Sequence, residues 1–258
     1  MAEISFGTNS GLQVVRGSAR RIDFDDSAEL AEITDHHGLP LLWRDGTPVL
    51  PERTFSRDLN GVLKRAVDIV ASGSAILTLL PMLLMIALAI KLTSPGPVLF
   101  RQQRSGRGGS TFQLFKFRTM RQDACDQSGV AQTRLDDDRV TPIGRWLRRS
   151  SLDELPQLFN ILFGSMSLVG PRPHVAGQLA AGKPYQQLVP YYELRRSVRP
   201  GLTGWAQANG LRGSTDDIDR ARARIEHDMA YIQNASVLLD LRIILLTARD
   251  EFISGSGN

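Results

Sequence analysis

The sequence predicts an α+β chain held at a membrane. A Pro-kinked re-entrant helix near the N-terminus is followed by a small mixed domain on the cytoplasmic side, carrying interfacial amphipathic helices. Three observations point there. Residues 69–90 form a run of 22 without a charge, bounded by Asp68 and Lys91, with Pro81 at its middle. Basic residues flank the run on both sides, Lys64 and Arg65 before it and Lys91, Arg101, Arg104 and Arg107 after it. Beyond the run, short strand-like and helix-like patterns mix, and a mean hydropathy of −0.15 is too polar for several spans.

Composition narrows the class further. Hydrophobic residues make up 42% and charged residues 22%, ordinary globular values that exclude collagen-like, coiled-coil and wholly disordered chains. A single cysteine, Cys125, excludes a disulfide framework and a multi-Cys metal site. Residues 1–20 hold no apolar run behind a basic start, as a secretory signal would, and neither end carries a lipidation box. Membrane attachment is therefore expected from the fold.

Residues 1–58 are polar and broken by Pro40, Gly46, Pro48 and Pro51; they read as a weakly structured extension in which short strands are allowed. Residues 59–92 hold the membrane helix. At ~1.5 Å per residue the charge-free run is about 33 Å long, enough to cross an apolar core. Pro81 removes a helical hydrogen bond and kinks the helix. Basic residues resist translocation, and here both ends are basic, which favours a hairpin dipping into one leaflet over a straight span; a buried core helix is the third option.

Residues 93–254 form the mixed domain. Val98–Phe100 and Phe112–Phe117 read as strands around a basic, Gly-rich loop at Arg101–Gly109. Leu155–Phe163 has helical spacing, Asp217–Tyr231 is a polar helix, and Val237–Leu246, with Asp240 and Arg242, is a core or interfacial helix. Residues 101–150 hold eleven Lys/Arg against five Asp. Beside an apolar segment this surplus suits anionic headgroups and phosphates better than nucleic acid, and no nucleic-acid partner is expected.

The residues most suited to chemistry lie in Arg148-Arg149-Ser150-Ser151-Leu152-Asp153-Glu154-Leu155-Pro156. Ser151 to Glu154 spells a capping box, and Pro156 in a first turn would make Asp153 the N-cap, so plain capping explains the segment. It also suits catalysis. Neighbouring carboxylates on a helix point about 100° apart, so one can attack phosphorus while the other holds a divalent metal or orients the first, with Arg148 neutralising anionic oxygens. In Val169-Gly170-Pro171-Arg172-Pro173-His174, two prolines stiffen the backbone around Arg172, a forked donor for phosphate. The loop from Val198 to Gly210, with Trp205 and Gln207, can hold a nucleotide by stacking and amide bonds or be a turn around a core Trp. Lys116 and Arg118 can face an anionic substrate or line a solvated edge.

In order along the chain, Lys64-Arg65-Ala66-Val67-Asp68, the Pro-broken apolar helix, Lys116-Phe117-Arg118-Thr119-Met120, Ser151 to Asn160, Val169 to Pro173 and Pro200 to Gln207 resemble the bacterial sugar transferases, the monotopic polyprenyl-phosphate phosphoglycosyl transferases. The match covers about Leu59 to Phe252. The resemblance implies a two-step, Mg²⁺-dependent transfer of a sugar-1-phosphate from a UDP-sugar to polyprenyl phosphate, releasing UMP, at the cytoplasmic face of the inner membrane. It implies that Asp153 is the nucleophile and Glu154 its partner, both close to the metal. Arg148 and Arg172 match phosphate-binding arginines, Lys116 or Arg118 an active-site cation, Asp228 a late acidic residue, and Lys64 and Arg65 the pair anchoring the membrane helix. Pro173-His174-Val175 and Leu211 to Thr215 look most like members using UDP-glucose or UDP-galactose for exopolysaccharide synthesis. A homodimer is compatible with the sequence. The competing expectations are a glycosyltransferase that releases UDP and a basic membrane scaffold whose Asp153 and Glu154 only cap a helix.

Overall fold

The computed structural model describes residues 20–21, 30–34, 38–52, 54–121, 137–213 and 216–254. The N-terminal stretch forms an antiparallel meander in which β1 (Arg20–Arg21), β2 (Leu30–Thr34), β3 (Pro40–Arg44) and β4 (Thr47–Pro48) pair in chain order. Next comes α1 (Phe55–Thr93), capped by the Thr54 side chain, which accepts from the Arg57 amide. At ~1.5 Å per residue its 39 residues extend for about 58 Å. The helix continues through Pro81, although that ring deprives the Leu77 carbonyl of its donor.

The domain that follows is built of small sheets and short helices. β5 (Leu99–Ser105) and β6 (Thr111–Phe117) form an antiparallel hairpin. The stretch expected to be a basic loop from Arg101 is thus mostly strand, because Arg101 and Arg104 find cross-strand partners in Phe115 and Phe112; only residues 106–110 turn. Then come α2 (Pro142–Arg149), a 3-10 turn at Leu152–Glu154, α3 (Gln157–Phe163) and β7 (Ser167–Val169). A tiny hairpin of β8 (Leu179–Ala180) and β9 (Lys183–Pro184) leads to α4 (Tyr185–Leu188) and a second 3-10 turn, Tyr192–Ser197. β10 (Gly201–Thr203) runs parallel to β7, followed by α5 (Trp205–Ala208), α6 (Ile218–Asn234) and α7 (Val237–Ser254).

One face of α1 is a wall of this domain. Leu83, Ile86 and Ile90 pack with Phe117 and Leu147, and Ala75, Ile76 and Leu79 pack against a cluster of Leu158, Ile161 and Met166. Each such Leu or Ile contributes roughly 1.5–3 kcal/mol when fully buried. The opposite face is bare: Val62, Val70, Leu77, Leu84, Met85, Leu88 and Leu92 are all exposed. Such a long apolar stripe marks a membrane or partner surface, and α1 is long and apolar enough to cross a bilayer.

Both ends of the apolar run are fastened to the same domain. At the start, Lys64 Nζ donates to the Val169 carbonyl at 2.9 Å and to Asp240 Oδ2 at 2.5 Å. Arg65 reaches the last carbonyls of α3, Ile161 at 2.6 Å and Leu162 at 2.9 Å, where a cation complements the helix dipole. Asp68 accepts the Leu168 amide at 2.9 Å. At the far end the buried Arg118 guanidinium grips the Ser94 and Pro95 carbonyls at 2.8 and 2.5 Å.

Candidate active site

The site grows from the way α3 docks on β6. Asn160 turns its amide to the strand edge, accepting from the Phe115 amide at 2.9 Å and donating to the Gln113 carbonyl at 2.7 Å. This brings the turn preceding α3, with Asp153 and Glu154, against Lys116. The turn is not a helix cap. Ser151 sits in the left-handed region, at φ 52°, and makes no capping hydrogen bond. Asp153 lies inside the 3-10 turn, and Pro156 occupies the position before α3. The expected capping box is absent because the chain must reverse at Ser151 before α3 starts.

Arg172 arrives from the β7–β10 pair. The Gly170 amide donates to the Thr203 carbonyl at 2.9 Å and the Gly201 amide to the Pro171 carbonyl at 3.0 Å. A Cβ on Gly170 would lie 2.5 Å from the Arg199 carbonyl oxygen, so only glycine allows the two backbones this close. Arg172 then meets Glu154, with Nη2 to Oε1 at 2.7 Å and Nη1 to Oε2 at 3.4 Å. Lys116 Nζ donates to the same Oε1 at 2.7 Å.

The two carboxylates are therefore unequal. Glu154 shares its oxygens between two cations. Burial would raise its pKa, but Arg172 and Lys116 outweigh burial and hold it well below the usual carboxylate range. Asp153 is 7% exposed and accepts no hydrogen bond among the described residues; its ionic neighbour is Lys116, 3.7 Å away. Burial, helped by the negative charge of Glu154, pushes its pKa up, against the pull of Lys116, Arg148 and Arg172. Arg148 sits within electrostatic reach of Asp153 and is steadied by Thr119, whose hydroxyl accepts from Nε at 2.9 Å.

Asp153, Glu154, Lys116, Arg172 and Arg148 thus converge. Asp228 stands one step away: it accepts two hydrogen bonds from Arg195, at 2.9 and 2.8 Å, and Arg195 Nη2 donates to the Arg172 carbonyl at 2.7 Å. Arg118 does not join, being committed to the end of α1. Trp205 is 1% exposed with Arg242 over its ring, so it offers no free face to a nucleotide base. Gln207 is buried and donates to the Leu202 carbonyl at 3.4 Å. Lys64, Arg65 and Pro81 belong to α1. Arg195, which carries the link to Asp228, was missed from sequence because nothing in Glu193-Leu194-Arg195-Arg196 marks one arginine as special.

A metal cage is not preformed: among the described residues no three His, Cys, Asp or Glu side chains come together, and the Glu154 oxygens are already occupied by cations. Asp153, which accepts no hydrogen bond among the described residues and has Lys116 at 3.7 Å, is the more available carboxylate. One carboxylate completed by substrate phosphates is a usual way to hold Mg²⁺.

The sequence model described as bacterial sugar transferase matches residues 59–253. An exopolysaccharide production protein PSS of Rhizobium leguminosarum bv. phaseoli is 55% identical over 196 residues, covering 76% of this chain and 98% of its own length. A UDP-glucose:undecaprenyl-phosphate glucose-1-phosphate transferase of Escherichia coli K12 is 47% identical over 213 residues, 81% of this chain but 45% of the relative. A UDP-N-acetylgalactosamine-undecaprenyl-phosphate N-acetylgalactosaminephosphotransferase of Aeromonas hydrophila is 44% identical over 187 residues, 72% of this chain and 43% of the relative. The chain spans under half the length of the latter two. With an acidic pair, three cations and an apolar helix assembled in one domain, and with this match over most of its length, the chain belongs to the bacterial sugar transferase family.

Proposed function

We propose that the protein transfers a hexose-1-phosphate, from UDP-glucose or UDP-galactose, to polyprenyl phosphate at the cytoplasmic face of the inner membrane, releasing UMP, as the first lipid-linked step of exopolysaccharide synthesis. The observation that carries the reading is the asymmetry of the acidic pair: one carboxylate hydrogen-bonded by two cations, its neighbour buried with no hydrogen bond among the described residues and a single looser ionic contact, to Lys116.

An Asp153 oxygen attacks the sugar-bearing phosphorus. The bond between that phosphorus and the bridging oxygen breaks, and UMP leaves with the oxygen. The phosphosugar stays on the carboxylate as an acyl phosphate, still activated. An oxygen of polyprenyl phosphate then attacks the same phosphorus and frees Asp153. Lys116, Arg148 and Arg172 reduce repulsion between carboxylate and diphosphate. Glu154 holds Lys116 and Arg172 in place. Mg²⁺, held by Asp153 and substrate oxygens, would supply further charge neutralisation.

The bare face of α1 meets the apolar part of the bilayer, and Pro81, with its undonated Leu77 carbonyl, is the weak point at which this continuous helix would kink on entering one leaflet. Trp146 of α2, Phe163 at the end of α3, and Leu238, Leu241 and Leu245 of α7 are exposed apolar side chains that suit an interfacial resting surface. Fastening both ends of the apolar run to one domain supports both ends staying on one side of the bilayer over a straight span.

The test incubates detergent-solubilised protein with UDP-glucose or UDP-galactose, Mg²⁺ and polyprenyl phosphate. UMP release that disappears in Asp153→Asn is expected. Release of UDP, or undiminished turnover by that variant, overturns the reading.

A further inference from the structure

Four arginines surround one imidazole beside the acidic pair. His174 is 4% exposed, and its Nδ1 lies 2.9 Å from the Tyr192 hydroxyl. Arg104, at the end of β5, donates to the Pro173 carbonyl at 3.3 Å and to Gln102 Oε1 at 2.5 Å. The next amide, of Ser105, donates to the His174 carbonyl at 3.0 Å. Arg195, in the Tyr192–Ser197 turn, donates to the Arg172 carbonyl at 2.7 Å. Arg224, on α6, donates to the Gly213 carbonyl at 3.0 Å and lies within electrostatic reach of Arg172 and Arg195.

The charges do not balance. Arg172 is paired with Glu154 and Arg195 with Asp228. Arg104 and Arg224 have no carboxylate within ion-pair distance among the described residues, and the Nε of each is buried without a hydrogen-bond partner. Burial and the neighbouring Arg172, outweighing the opposite pull of Glu154, lower the Arg104 pKa to about 10, as expected of a cation kept from water without an ion-pair partner in contact. Burial, then the four arginines, keep His174 neutral. A cluster of this kind is completed by an oxyanion, which guanidinium forks bind bidentately.

We propose that Arg104 and Arg224, the two arginines of this cluster without a carboxylate partner, form an oxyanion pocket for the phosphate that the leaving nucleotide keeps, one phosphate away from the group attacked by Asp153. The inference rests on the reaction proposed above and adds the place of the leaving group. A phosphate ester is the chemistry recognised, and it can come from the nucleotide or from the lipid. The nucleotide is favoured by the packing. Behind the pocket lies the cluster of Tyr185, Tyr192 and Ile225, which includes no residue of α1. Lys116 and Arg148, in contrast, adjoin Phe117 and Leu147, which pack on α1, the side from which a membrane lipid arrives.

The test is calorimetric titration of the full chain in detergent with UMP and, separately, with farnesyl phosphate as a short lipid phosphate. Arg104→Gln is expected to weaken UMP binding about tenfold and leave farnesyl phosphate binding unchanged, while Arg104→Lys retains most of the UMP affinity. Unchanged UMP affinity in Arg104→Gln, or a loss confined to farnesyl phosphate, overturns the proposal. Thermal melting checks the fold of each variant; should Arg104→Gln fail to fold, Arg224→Gln carries the same expectations. Failure of the transfer reaction itself would appear as absent UMP release by the wild type, whereas the titrations report on the pocket alone.

Discussion

Lys64, near the start of α1, is bonded to Asp240 of α7 at 2.5 Å, so the membrane-facing helix is locked to the last of the described helices. The Tyr231 hydroxyl donates to the other Asp240 oxygen at 2.8 Å. Removing one partner of such a pair strands the other. Lys64→Met or Asp240→Leu alone is expected to cost roughly 2–4 kcal/mol, and the double variant less than the sum of the two. Thermal melts of all three in one detergent measure this; additive losses would mean that the two side chains act independently.

Helix topology yields a second expectation. With Cys125 replaced by Ser, single cysteines at Asn60 and at Thr93 should both stay unlabelled when intact cells meet an impermeant maleimide, and both react once the cells are opened. Labelling of one site alone from outside would establish a straight crossing.

The acidic pair separates two roles. Mass spectrometry of protein mixed with UDP-glucose but no lipid acceptor should find a phosphohexose adduct on Asp153 in the wild type and none in Asp153→Asn. Glu154→Gln leaves Lys116 and Arg172 without their shared counter-ion, and its kcat should fall on the order of 10²-fold while the adduct still forms. An adduct found on Glu154 would reverse the assignment.

His174 gives a pH dependence with a fixed sign. Its folded pKa lies well below the usual 6.5, first because it is buried and then because Arg195, Arg224, Arg104 and Arg172 surround it. Stability linked to this group is therefore complete above the unfolded pKa. It declines as pH falls below about 6.5, by about 1.4 kcal/mol per pH unit, because the unfolded chain takes up the proton that the folded one refuses. Asp153, Asp228 and Asp240, whose pKa values are raised by burial, bend the curve the other way at lower pH. The difference between wild type and His174→Gln isolates the histidine, and that difference should shrink from pH 7 to pH 5.

The apolar run, the strand at Phe112–Phe117 and the Asp153–Glu154 pair were legible because each is a local pattern. The choice between Lys116 and Arg118 was not. Two residues apart, they would share a face if the strand continued, but β6 ends at Phe117 and Arg118 turns to the end of α1. Capping at Ser151 failed for a similar reason, a left-handed residue that spacing does not reveal. Lys64 read as a membrane flank because its acidic partner lies 176 residues away, and Arg104, Arg195 and Arg224 come together only through tertiary packing.

Fastening the front of α1 to Val169 and Asp240 has a consequence for biosynthesis. The helix leaves the ribosome long before its anchors exist. At ~5–20 residues per second, the 176 residues separating Lys64 from Asp240 take roughly 10–35 s to translate. Throughout that interval the greasy stripe has no finished domain to lean on, so it must be sheltered by lipid or by a chaperone, and the lock closes only after Asp240 has emerged.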